Sequence, residues 1–95
     1  MRRRKYYSVS QAAEFLEIDV QVVELCVRED LVPTRRYRGR TVVVHDDLER
    51  VRVVYTLTEE LGVNLPGVAV ALRLLEEVER LRSGREIAIL DVEDG

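Results

Sequence analysis

Two closely spaced helix starts near the N-terminus constrain the fold of this chain more than any other feature. Ser8 is followed by Gln11 in a capping-box pattern, in which the hydroxyl accepts from a free backbone N–H and the glutamine side chain reaches back. Apolar residues then recur at helical spacing, Ile18 forms a short turn, and Asp19 supplies the N-cap of a second helix over about residues 20–29. Two helices of about ten residues joined by a tight turn predict a helix-turn-helix.

An arginine-rich hairpin is predicted after the second helix. Pro33 ends helical structure, and two strand-like segments, 35–38 and 41–44, flank a turn at Gly39-Arg40 with glycine in the first central position. The hairpin is the wing of a winged helix-turn-helix. Its turn side carries four bases that could contact phosphates: Arg35, Arg36, Arg38 and Arg40.

Two more helices are predicted beyond the wing. Asp46 or Asp47 caps the third, which stops at Gly62, a natural left-handed terminator. The fourth helix restarts at Asn64-Leu65-Pro66, where proline in the first turn costs little, and extends to about Ser83.

A short tail is expected after the fourth helix, which we predict to end before Gly84. The tail has a strand-like core, Ile87-Ala88-Ile89-Leu90, and an acidic end. The fold is therefore mainly α with a small β-hairpin: a basic arm at 1–5, a winged helix-turn-helix with two following helices at 6–83, and the acidic tail at 84–95.

Net charge is −3, but the charge is unevenly distributed. The first five residues hold four bases, Arg2, Arg3, Arg4 and Lys5, so the remainder has 11 bases against 18 acids and a net charge of −7. Such a body disfavours a purely electrostatic nucleic-acid binder and suits a basic protein partner. The basic arm itself is either a site or a solubilising tail.

Several function classes are disfavoured by what the sequence lacks. It contains no Gly-rich phosphate loop, nucleophile elbow or metal-ligand spacing, so we expect neither an enzyme nor a cofactor. The single Cys26 excludes an internal disulfide and is read as a small buried residue in a cytoplasmic protein. No apolar run is long enough to span a membrane. His45 beside Asp46 and Asp47 is read as helix capping rather than as a metal site.

The second helix is acidic where a winged helix-turn-helix would carry its DNA-reading helix. Residues 19–30 contain four carboxylates against the single base Arg28. A helix directed at the major groove needs bases or amides at its exposed positions, and carboxylates facing phosphates reduce affinity. The four carboxylates are Asp19, Glu24, Glu29 and Asp30.

The order of these segments resembles the MerR-type regulators over roughly residues 6–82. The resemblance rests on Tyr7-Ser8-Val9 before Ala12-Ala13, on Leu31-Val32-Pro33, on His45-Asp46-Asp47-Leu48, and on the run from Leu61 to Val68. The family's second helix usually presents Thr-Leu-Arg-Tyr-Tyr-Glu, whereas residues 22–27 hold Val-Val-Glu-Leu-Cys-Val. The arginine that would meet DNA is Glu24 here, and the glycine that ends the helix is Asp30.

The fourth helix resembles a particular MerR-related group. The run from Leu65 to Glu77 is similar to CbpM-type chaperone modulators, which also lack a basic second helix. That resemblance implies binding to the J-domain of a DnaJ- or CbpA-like co-chaperone, with possible involvement of DnaK, the Hsp70. A related assembly factor bridges DnaK and DnaJ in thermophiles. The implied role is to regulate or assemble the Hsp70 system.

Candidate partner-binding residues follow from the basic helix surface that a J-domain presents. Carboxylates around apolar side chains would complement it. Each acidic cluster is alternatively a solvated helix face with pairs such as Glu76–Arg80 and Glu79–Arg82. The candidates are Glu24, Glu29, Asp30, Glu59, Glu60, Val70, Leu74 and Glu77.

The fourth helix has apolar residues on two sides. Val68, Leu72, Leu75, Val78 and Leu81 form a stripe predicted to be core, whereas Val70 and Leu74 add apolar surface elsewhere. Two apolar faces exceed what a small body can cover, which suggests a partner groove or a self-association seam, and we expect a homodimer rather than a monomer.

A MerR-type transcription regulator is the rival interpretation. The basic arm and the four wing arginines could contact phosphates, which position a protein on DNA without specifying sequence. A small excisionase-like architectural factor would share this fold and the same test.

Overall fold

The computed structural model describes the backbone of residues 5–94 and the side chains of residues 5–84. The arginines of the predicted arm, residues 2–4, lie outside the described residues. The order is strand β1, helices α1 and α2, strands β2 and β3, a 3₁₀ turn, helix α3, a π turn and helix α4. Their bounds are Tyr6–Ser8, Val9–Leu16, Val20–Arg28, Arg35–Tyr37, Arg40–Val44, His45–Asp47, Leu48–Tyr55, Thr56–Glu60 and Leu65–Asp94. This arrangement confirms the mainly helical winged helix-turn-helix.

The wing belongs to a three-stranded antiparallel sheet in the order β1-β3-β2. The sequence predicted only β2 and β3, and placed Tyr7 and Ser8 at the opening of the first helix. Instead, β1 pairs with β3 so that Tyr6 lies opposite Val44 and Ser8 opposite Val42. The extra strand was missed because three residues show no alternation, and only the proximity of β3 makes them a strand.

The predicted helix caps are confirmed at three helix starts. The Ser8 hydroxyl accepts from the Gln11 N–H at 3.1 Å, and the Gln11 side chain accepts from the Ser8 N–H at 3.0 Å. Asp19 accepts from the Gln21 N–H at 2.8 Å, and Asn64 accepts from the Gly67 N–H at 2.9 Å. These acceptors satisfy backbone donors that have no partner within the first helical turn. By contrast, Asp47 precedes α3 but makes no side-chain cap bond, so the predicted carboxylate cap of the third helix was wrong.

The wing turn lies one residue earlier than predicted. Its central residues are Arg38 and Gly39, with φ of 52° and 78°, whereas Arg40 already belongs to β3. Positive φ at both positions is the type I′ geometry, whose twist matches that of the two strands. Glycine therefore occupies the second central position rather than the first.

A π turn ends the third helical segment. The Leu61 N–H donates to the Thr56 carbonyl at 3.0 Å, five residues back, and the Thr58 hydroxyl donates to the Val54 carbonyl at 2.8 Å. Gly62 follows with φ of 67°, which confirms it as a left-handed terminator. The expected third helix is therefore α-helical only as far as Tyr55.

The core lies between α1, α2, the inner side of the sheet, α3 and the start of α4. Val23, Val51, Val54 and Val68 are fully buried at its centre. Valine is the most frequent residue among the buried side chains. Among the described side chains, every buried polar atom has a hydrogen-bond partner.

Helix α4 is longer than predicted, and its last side-chain contact with the body among the described residues is the ion pair of Glu76 with Arg50. It continues to Asp94 without a break, so the expectations of an end before Gly84 and of a strand-like segment at 87–90 were wrong. Gly84 is not at positive φ, and a single helical glycine costs only about 1 kcal/mol relative to alanine. None of the described helices is both long and apolar enough to cross a membrane.

Candidate partner-binding surface

Helix α2 divides its side chains between the core and an exposed outer face. Val22, Val23 and Cys26 point inward and are buried. Glu24 is exposed, and the helical spacing places it on the same outer face as Gln21 and Arg28. The face that a winged helix-turn-helix uses for reading DNA therefore presents a carboxylate beside one amide and one guanidinium.

A shallow groove of about 240 Å³ lies between α2 and the π turn. Asp19, Gln21, Leu25 and Arg28 of α2 line one side, and Glu59 of the π turn lines the other. The structure thus brings one predicted acidic residue, Glu59, against the acidic second helix. Val22 completes the lining, so the groove has apolar side chains between charged rims. Glu60 is exposed but does not line the groove.

The carboxylates at the end of α2, Glu29 and Asp30, do not line this groove. Glu29 lies 3.7 Å from the Arg28 guanidinium, an exposed pair worth little stability. Asp30 has φ of 57°, so the chain keeps a left-handed backbone where the resemblance places glycine. Its side chain lines a second groove with Arg50 and Arg73. The predicted carboxylates of α2 therefore do not form one cluster.

An ion pair ties α4 to α3 across this second groove. Arg50 donates to Glu76 at 3.0 Å, and Glu77 pairs with Arg80 one turn along α4. These differ from the expected Glu76–Arg80 pair because Arg50 offers a partner that only the tertiary fold supplies. The candidate Glu77 is thus engaged within its own helix.

Beyond the body, α4 exposes much of its apolar surface. Val70 and Leu74 are 53% and 60% exposed, in agreement with their prediction as surface residues. The predicted core stripe was wrong beyond Leu72, since the rest of it is at least 41% exposed. Leu72 is the last buried side chain of α4 among the described residues, and Leu75, Val78 and Leu81 beyond it are largely exposed.

Comparison with known protein families gives a match over most of the chain. The family described as MerR HTH family regulatory protein matches residues 7–91, which is most of the chain. The chain belongs to the MerR helix-turn-helix family. No curated protein and no solved structure matches it at a significant level. The family match extends well into the outer part of α4, so this helix belongs to the MerR pattern.

The wing of this MerR-family chain presents its arginines to solvent. Arg35, Arg36, Arg38 and Arg40 are all exposed, as the sequence predicted for phosphate contacts. Two of them also have partners within the hairpin, since Arg36 donates to the Gly39 carbonyl at 3.1 Å and the Arg38 guanidinium lies 5.2 Å from the Tyr37 ring centre.

Sequence reasoning missed two aromatic groups around the sheet. Tyr6 and Tyr37 stack on its outer face with ring centres 6.2 Å apart and planes 10° from parallel. On the other side, the rings of Tyr7, Phe15 and His45 meet at 5.3–5.7 Å. Both groups depend on strand β1, which the sequence did not predict. The adjacent tyrosines at 6 and 7 were the one feature of the sequence that could have indicated them.

The surroundings of Cys26 and His45 indicate that both side chains have structural roles. Cys26 is fully buried, and desolvation raises the pKa of its thiol from 9.0 to about 11, against a smaller lowering by a backbone hydrogen bond. The prediction of a small buried residue is confirmed. His45 Nδ1 lies 3.1 Å from the Tyr7 hydroxyl. Among the described residues, no three metal-ligating side chains gather.

Proposed function

We propose that this MerR-family chain is a cytoplasmic chaperone modulator that binds the J-domain of a DnaJ- or CbpA-like co-chaperone and regulates or assembles the DnaK system. The observation that carries the proposal is the exposed Glu24 on the outer face of α2, where DNA-reading relatives place arginine. A carboxylate there repels a phosphate backbone and attracts a basic helix.

The groove beside α2 supports a helical, basic partner. Leu25 offers apolar contact between Asp19 and Glu59, and Glu24 is the residue next to Leu25. A partner helix could place an apolar residue in the groove and lysine or arginine side chains over its rims. Such charges would speed encounter and fix the register, while the apolar contact limits dissociation.

Calorimetry with the J-domain encoded in the same genome tests the proposal directly. The full chain should bind the folded J-domain with a dissociation constant in the micromolar range or tighter. The interaction should weaken as salt is raised from about 50 to 500 mM, because the rims of the groove are charged. If both partners are folded and no heat is detected at micromolar concentrations, the proposal fails.

A homodimer through α4 accompanies this proposal. Val70, Leu74 and Leu81 expose more apolar surface than is usual for a helix in contact with water. Sedimentation equilibrium over a wide concentration range should show a dimer, and Leu74→Glu should shift it towards monomer. A wild-type chain that stays monomeric at 100-fold the concentration used for calorimetry would contradict it.

DNA binding as a transcription regulator is the second candidate, and the four exposed wing arginines favour it. It predicts binding to a promoter duplex that falls steeply with salt and exceeds binding to random duplex. A gel shift at ~100 mM salt with neither property would exclude it, given the counterion-release dependence. Sequence preference that survives Glu24→Ala but not Arg40→Ala would establish it.

A further inference from the structure

The outer face of the sheet carries a second exposed surface, separate from the α2 groove. Register places Tyr6 opposite Val44 and Tyr37 opposite Arg40, so both tyrosines project from the side away from the core. The tyrosines are 41% and 52% exposed, whereas Val42 on the same face is buried. The surface is thus an apolar floor with two aromatic rings standing beside it.

Positive charge surrounds these rings. Arg38 lies over the Tyr37 ring, and Arg35 and Arg40 project from the same face as Tyr37 by strand alternation. A groove of about 460 Å³ here is lined by both tyrosines, Arg38 and Arg40, and no carboxylate takes part in the lining. From Pro33 to Val44 the sequence holds four arginines and no acid.

We infer that this surface, Tyr6, Tyr37, Arg35, Arg38 and Arg40, is a stacking platform for single-stranded nucleic acid. Partly exposed aromatic rings stack with bases of any sequence and neighbouring arginines bind the phosphates, so a base would take the place of Arg38 over Tyr37 and Arg38 would turn to a phosphate. A duplex keeps its bases stacked inside and would use only the arginines. An acidic peptide would use the arginines but carries no row of flat bases to stack on the two parallel rings.

The platform should not distinguish DNA from RNA. Its rings stack with bases and its guanidinium groups pair with phosphates, and both of these contacts are common to the two backbones. Stacking and charge alone predict equal binding to the two backbones.

Fluorescence anisotropy with labelled 15-mers of oligo(dT) and oligo(U) tests this inference on the full chain. Both should bind within about threefold of each other and at least tenfold more tightly than a duplex of equal length. Three arginine–phosphate contacts predict a slope of about −2 for the logarithm of affinity against the logarithm of salt concentration. Tighter binding to the duplex would overturn the inference, as would no anisotropy change at micromolar protein.

Substitutions at Tyr37 distinguish a role of its ring in base stacking from a role as an apolar cover over the sheet. Tyr37→Phe keeps the ring and should bind within about twofold to threefold of wild type. Tyr37→Leu keeps an apolar cover without a ring and should weaken binding roughly tenfold or more, as loss of one stacked base does. Circular dichroism should confirm folding of both, and Arg82→Ala on α4 serves as the control for removing a distant charge.

Two competitors complete the test. Heparin carries dense charge without aromatic faces, and poly-glutamate mimics an acidic protein segment. If Tyr37→Leu binds oligo(dT) like wild type while either competitor displaces it at equal charge, the surface binds polyanions only and the inference fails. These experiments contain no J-domain, so their outcome is independent of the chaperone proposal.

Discussion

Reversing the charge at Glu24 is the sharpest test of the acidic face of α2. Glu24→Arg restores the residue type that DNA-reading relatives carry there, without altering the buried side of the helix. Binding to the J-domain should weaken, because an attraction to a basic partner becomes a repulsion of similar size. Isothermal titration calorimetry at low and high salt measures the change.

The magnitude follows from the exposure of Glu24. Exposed ion pairs are worth roughly 0.2–1 kcal/mol, so reversal should change the binding free energy by about twice that. The dissociation constant should therefore rise roughly 2- to 30-fold, since 1.4 kcal/mol is a factor of ten. Most of this difference should disappear at about 0.5 M salt, where the screening length is only a few ångströms.

Stability should be nearly unaffected by Glu24→Arg. Glu24 has no ion pair among the described side chains, and surface substitutions of this kind usually stay within about 0.5 kcal/mol. The Tm should shift by no more than about 2–4 °C in a domain of this size. Glu14→Arg, an exposed reversal on α1, is the matched control and should leave binding unchanged. Equal affinities for both variants and wild type would refute the assignment of the α2 face.

Three further predictions concern the body of the fold. Val54→Ala should lower the free energy of unfolding by about 2–3 kcal/mol in a urea titration, because a fully buried side chain loses two methyl groups, whereas the exposed Val70→Ala should stay within about 0.5 kcal/mol. The Cys26 thiol has a folded pKa of about 11 against 9.0, so its contribution to stability should be complete below pH 9 and decline towards pH 11. Cys26→Ala should remove that part of the decline, and an unchanged pH profile would contradict it. A double-mutant cycle of Arg50→Ala and Glu76→Ala should give a coupling of about 0.2–1 kcal/mol that vanishes in 1 M salt, since the Glu76 side chain is 55% exposed.

Local signals explain which parts of the fold could be predicted from the sequence. The caps at Ser8, Asp19 and Asn64 and the terminator Gly62 act within one turn of themselves, so their residue types suffice. The same holds for the wing, where an arginine-rich pair of strands meets around a glycine. Its turn was misplaced by one residue because glycine suits either central position of a primed turn.

Features that depend on partners distant in the sequence could not be predicted from such local signals. The strand at Tyr6 exists because β3 offers free backbone groups, and Arg50 pairs with Glu76 because α4 crosses α3. The end of α4 was misplaced because Gly84 resembles a stop signal but adopts no positive φ. At the candidate site, Glu24 was predicted from its chemistry, whereas the approach of Glu59 to α2 needed the path of the chain.

The π turn has a consequence for the shape of the groove beside α2. Each residue advances an α-helix by about 100°, so one residue added within a turn rotates all that follows by that angle. The widened turn between Thr56 and Leu61 therefore sets the helical phase at which Glu59 faces α2. Deleting Thr58 would restore ordinary phase, carry that carboxylate about 100° around the axis, and open one wall of the groove while α2 stayed intact.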